Sequence, residues 1–140
     1  KLARKYHPDL NPGDSVAGHA YRIYRAAFDR TPDGGGLGFW IKAMDRGVTL
    51  NDAAAQFIHS AEFIQAYGAN LSNTQLVSRI YENVLHRPAD EAGTAFWIGV
   101  LDSGRATRAD VLAGFSESVE NKDALAGIIG NGFEYLPYFG

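Results

Sequence analysis

The chain has 140 residues, 46% of them apolar and 21% charged, with a net charge of −3 and no cysteine. That length and balance suit one domain burying about two-thirds of its unfolded surface, and slight acidity speaks against a nucleic-acid binder, which presents a basic face. Without cysteine there is no disulfide, thiolate metal site or thiol nucleophile, and no window nears the run of about 18 apolar residues that a membrane span needs.

Lys1 is neither an initiator methionine nor the start of a signal-peptide pattern, so the chain reads as an excerpt or a processed product. Residues 1–16 read as a leader in which Pro8 and Pro12 stiffen a turn. Its stretch "KYHPDLNPGD" resembles the end of a J-domain hairpin and its loop. In that family the triplet seen here as His7, Pro8 and Asp9 triggers ATP hydrolysis by the seventy-kilodalton heat-shock chaperone. A J-domain places two helices before its triplet, and only six residues precede His7. A J-domain-like co-chaperone fragment is therefore the alternative reading, and a plain leader the preferred one. Asp9, Asn11 and Asp14 also supply the oxygens of a partial calcium loop, without the glutamate that closes an EF-hand. Calcium is the one cofactor left open; none is expected.

Residues 17–140 read as a single helical domain. In a first unit, about 20–70, the apolar residues Tyr21, Tyr24, Ala27 and Phe28 fall at helical spacing. "RTPDGGG" is turn chemistry, with Asp33 placed to cap a second helix that runs through Phe39 and Trp40 and stops near Gly47. Thr49 and Asp52 then form a capping-box pattern for a third helix. Ser72 and Gln75 form another, which opens a second unit at about 72–125. There Val77, Ile80, Tyr81, Val84 and Leu85 make the stripe, Asp90 the cap, Gly104 the stop, and Thr107 with Asp110 the next box. No stretch alternates long enough to predict a strand.

The two units are one pattern written twice. "RIYRAAFDRTPDGGGLGFWIKAMDRG" from Arg22 aligns with "RIYENVLHRPADEAGTAFWIGVLDSG" from Arg79. After one inserted residue, "FIHSAE" from Phe57 aligns with "FSESVE" from Phe115. Arg30, Asp33, Gly36, Phe39 and Trp40 thus recur as Arg87, Asp90, Gly93, Phe96 and Trp97. The expected fold is all-α: a helical bundle of two similar multi-helix units in a pseudo-two-fold relation, with both indoles in the core.

This pattern resembles the bacterial domain-of-unknown-function 4214 family: a Tyr-rich helix, then Arg-x-Pro-Asp-x-x-Gly-Leu-x-Phe-Trp, then Phe-x-x-Ser-x-Glu-Phe. The likeness covers roughly residues 17–135, and "DGGGLGFW" departs from it by extra glycine. It implies a secreted or surface-associated bacterial protein, often one with glycine-rich calcium-binding repeats nearby, and it brings no agreed catalytic residues. The helical repeat is also similar, more loosely, to the phycobilisome linker domain, a structural connector.

Few residues offer chemistry. His7, His19, His59 and His86 form no paired face for zinc. Ser60, Ser116 and Ser118 lie near Glu62 and Glu120 without a histidine or nucleophile elbow, and read as helix caps. Arg30 and Arg87 are expected to tie down their loops by carboxylate pairing or by bonding loop carbonyls. The tail, residues 126–140, is dense in aromatics. Phe133, Tyr135 and Leu136 are expected against the repeat interface, with Tyr138 and Phe139 open to a partner. The sequence thus predicts a non-enzymatic structural or protein-interaction domain of a secreted or cell-surface bacterial protein. Its partners would be neighbouring domains or copies of itself, with no nucleic acid and no membrane span.

Overall fold

Short polar side chains set the helix starts, as their spacing predicts. The computed structural model describes residues 4–5, 16–129 and 134–135. Helix α1 (Val16–Phe28) is followed by α2 (Gly34–Asp45), whose Gly36 amide donates to Asp33 Oδ1 at 2.6 Å. Reciprocal Thr49–Asp52 bonds open α3 (Leu50–Ile58), and Ser60 caps α4 (Ala61–Tyr67). The second unit repeats this order. Ser72 and Gln75 box α5 (Asn73–Ile80), which runs on into a π turn over Tyr81–Leu85. Asp90 caps α6 (Glu91–Asp102), Thr107 and Asp110 box α7 (Arg108–Ser116), and α8 (Val119–Ile129) closes the unit. Each such cap contributes about 0.5–2 kcal/mol. Gly47 and Gly104 take φ of 110° and 74° just past α2 and α6, where a side chain would be strained.

The fold is all-α. Helix α1 is buried along almost its whole length and touches α2, α3, α4, α7 and α8. Helices α3 and α7, which hold equivalent places in the repeat, pack directly on each other. Ala53, Ala54 and Ala113 are small enough there to bring the backbones close, while Phe57, Leu112 and Phe115 fill the space beside them. A second, smaller cluster joins Ala17, Ala20 and Tyr21 of α1 to Leu37 and Ile41 of α2. The described residues also include a two-residue antiparallel ladder, β1 (Arg4–Lys5) with β2 (Glu134–Tyr135), and β2 lies beside α2. Of the tail, Glu134–Tyr135 thus runs beside α2 of the first unit, whereas the sequence predicts the repeat interface.

Trp40 and Trp97 are each partly buried and pack against the main core. Trp40 meets Phe57 at 4.5 Å between centroids, and Trp97 meets Phe115 at 5.1 Å.

One buried charge cluster has no repeat counterpart. Arg22, only 2% exposed, donates from Nε to Glu117 Oε2 at 2.9 Å and from Nη2 to Oε1 at 2.7 Å. His19 Nδ1 lies 2.7 Å from the same Oε1. Position 76, equivalent to His19, holds a leucine, and position 59, equivalent to Glu117, holds a histidine. The cluster thus fastens α1 to the α7–α8 junction in one direction only. Burial would raise the Glu117 carboxyl, but hydrogen bonds and charge from His19 and Arg22 outweigh it and hold the pKa at about 2.

A folded-state pKa below the ordinary 4.5 means that this stabilisation is complete above about pH 4.5 and is lost as pH falls towards about 2. Glu117→Gln should cost on the order of 3 kcal/mol at neutral pH, because it leaves Arg22 buried without its carboxylate. Urea titrations should show the gap between wild type and variant narrowing through that acid window. A constant gap would contradict the assignment.

Candidate functional site

The residues that recur between the units converge on two equivalent nodes. In the first, α1 ends at Asp29 in the left-handed region, φ 51°, which turns the chain so that Arg30 lies back over α1. Arg30 Nε donates to Glu62 Oε2 at 2.6 Å and Nη2 to Oε1 at 3.1 Å, a two-pronged pair with α4. Its Nη1 donates to the Thr31 carbonyl at 3.2 Å, and Nη2 donates to the Tyr24 hydroxyl at 2.8 Å. That hydroxyl in turn donates to Asp33 Oδ2 at 2.5 Å, while Asp33 Oδ1 caps α2. One carboxylate therefore serves both the helix start and the tyrosine. Burial, with the hydrogen bond to Asp33, pushes the Tyr24 pKa up to about 12. The bond from Tyr24 and the Gly36 amide hold Asp33 below the usual carboxylate range.

The second node is built the same way. His86 turns the chain at φ 56°, and Arg87 pairs with Glu120 through Nε at 2.8 Å and Nη2 at 2.9 Å. Arg87 Nη1 donates to the Pro88 carbonyl at 3.4 Å, and its guanidinium lies 5.1 Å from the Tyr81 ring centroid. The Arg87 bond lowers the Glu120 pKa. Both arginines stand about 40% exposed, so water screens each pair and neither contributes much to stability by itself. Their effect is positional: they fix the loop between the first two helices of a unit against its last helix.

Local pattern marks the arginines as loop anchors but does not pair them with these carboxylates. Glu62 and Glu120 stand 32 and 33 positions downstream. They were legible only as the last letter of the recurring Phe-x-x-Ser-x-Glu pattern. The serines of that pattern do cap: Ser60 accepts the Phe63 amide at 3.1 Å, and Ser118 accepts the Asn121 amide at 3.2 Å.

Beside the second node opens a cleft of about 190 Å³, floored by Tyr81, Trp97 and Phe115 and rimmed by Arg87 and Glu120. The exposed Phe96 ring stands 5.0 Å from that of Trp97. Phe39 and Phe96 both lie at the surface, 40% and 57% exposed, although their pattern groups them with the tryptophans. His7, Pro8, Asp9, Phe133, Tyr138 and Phe139 lie outside the described residues, as do Asn11 and Asp14; Tyr135 is described only as part of β2. Among the described residues no three His, Asp or Glu side chains group to hold a metal ion. No helix among them is long and apolar enough to cross a membrane.

Comparison with known families decides the kinship. A family model described as "Domain of unknown function (DUF4214)" matches residues 54–125, just over half of the chain. The chain belongs to the DUF4214 family. No curated protein and no solved structure matches it. The DUF4214 match runs from α3 to α8, so it contains the whole second node and its cleft, and only Glu62 of the first node.

Gly36 and Gly93 show how closely each node is packed. A Cβ on Gly93 would lie 2.4 Å from both Asp90 Oδ1 and Tyr81 Oη; on Gly36 the equivalent distances are 3.0 Å. Gly93→Ala should lower stability by about 1–3 kcal/mol, and Gly36→Ala by distinctly less, since alanine's helix preference offsets a milder clash. Thermal melts of the two variants check the order, which reverses if the second node is the looser one.

Proposed function

We propose that this DUF4214 chain is a non-enzymatic contact module of a secreted or surface-associated bacterial protein, and that it meets its partners through the outer face of α6. One observation carries the reading. Helix α6 has no charged residue between Glu91 and Asp102, yet Val100 alone of its residues is buried. Ala92, Ala95, Phe96 and Gly99 are exposed on it, and a soluble surface helix normally turns charge outward. Its counterpart α2 buries Leu37, Gly38 and Ile41 within the molecule, at positions where α6 carries Thr94, Ala95 and Ile98. The recurring polar groups support the same reading, since Arg30, Arg87, Glu62 and Glu120 are joined in internal ion pairs. In this reading the two units are related by an approximate two-fold axis near the α3–α7 contact, and their loss of equivalence at α2 and α6 leaves one face for a partner. The secreted or surface location rests on the resemblance of the repeated Phe-Trp pattern to such proteins.

A photo-crosslinking amino acid placed at Ala95, in cells that produce the protein, tests the face. Adducts should form with a copy of this chain or an adjoining domain, identified by mass spectrometry. The same probe at exposed Gln65 of α4 should give none. Equal yields from both positions would sink the reading.

A further inference from the structure

The cleft beside Arg87 has a template inside the same molecule. Six of its lining residues, Tyr81, Arg87, Trp97, Phe115, Ser118 and Glu120, are identical to their counterparts in the first unit. The two that differ are both smaller: Leu85 stands where the first unit has Phe28, and Gly114 where it has Gln56. In the first unit the Phe28 ring stands edge-on to Phe57 and to Tyr24, each at 5.0 Å, with the Arg30 guanidinium 5.8 Å from its centroid. That unit therefore shows what the arrangement of tyrosine, phenylalanine and arginine accepts: a phenyl ring. In the second unit the ring is missing and the cleft lies open, and a Cβ added to Gly114 would meet nothing within 4 Å.

We propose that this cleft receives the Phe96 ring of a second copy of the chain, in a reciprocal dimer. The proposal rests on α6 being the contact face and adds its register. Phe96 is 57% exposed and directly borders the cleft through Trp97. A protruding phenylalanine beside a phenyl-sized cleft on one surface is self-complementary, as a two-fold interface requires: each copy gives a ring and takes one. Ala92, Ala95 and Gly99 on the same exposed face lack bulk, so two α6 helices approach closely. Val119, 75% exposed, stands in the chain between the cleft residues Ser118 and Glu120 and adds exposed apolar surface. The rim charges Arg87 and Glu120 neutralise each other, so no net charge opposes a second copy.

Sedimentation equilibrium of the purified chain tests this with two variants. Phe96→Ala removes the ring and keeps the cleft. Leu85→Phe with Gly114→Gln copies the first unit and closes the cleft while keeping Phe96. Each alone should weaken dimerisation about tenfold or more, as loss of a central aromatic anchor does. Mixed, they should recover part of it, because the open cleft of one receives the ring of the other. Circular dichroism and melting verify the folds, and Leu85→Phe alone replaces the double variant if that one misfolds. A wild type that stays monomeric, variants that dimerise unimpaired, or a mixture that recovers nothing each overturns the insertion. In any of these cases adducts from position 95 would still uphold α6 as the contact face.

Discussion

Helices of 7 to 13 residues do not stand alone in water, and all that is built here depends on that constraint. Each helix has an apolar stripe that only other helices can cover. Helix α1 supplies most of the cover, with the tight α3–α7 contact beside it. Alanines at that contact shorten the distance between backbones, and the aromatic side chains then close over its ends. Tyr67 shows how completely the interior is committed: fully buried, it still donates its hydroxyl to the Ala26 carbonyl at 2.6 Å.

The polar nodes follow from the same constraint. A chain that turns sharply every dozen residues carries many loops, and each must be held without a disulfide. Here one arginine per unit spans loop, tyrosine and distant glutamate. A carboxylate that caps a helix, Asp33, also accepts from the tyrosine beneath that arginine. The arrangement uses exposed charges for geometry, a role in which the small net energy of surface pairs is no drawback.

The repeat in the residue order is not exact, and where its two copies diverge their surroundings differ. The His19–Arg22–Glu117 cluster, present on one side only, is one such divergence. The smaller residues at positions 85 and 114 are another, and they line the open cleft.

Much of this was legible in the residue order, for a physical reason. Caps, stops and stripes act over three or four positions, so Asp33, Thr49, Ser72, Asp90 and Thr107 announce their helices from local pattern alone. The repeat, too, is a property of the string. Arg30 and Arg87 could be named as loop anchors because carbonyls and carboxylates lie close along the chain. Their main partners, Glu62 and Glu120, could not, since a contact 32 or 33 residues away depends on where α4 and α8 come to rest. The exposed Phe96 and the burial of Arg22 were hidden for the same reason. Helical spacing says which side chains share a stripe, but how much of that stripe is covered is decided by the packing of whole helices. The open cleft is the clearest case. Its eight lining residues come from three separated stretches of chain, and only folding brings them to one place.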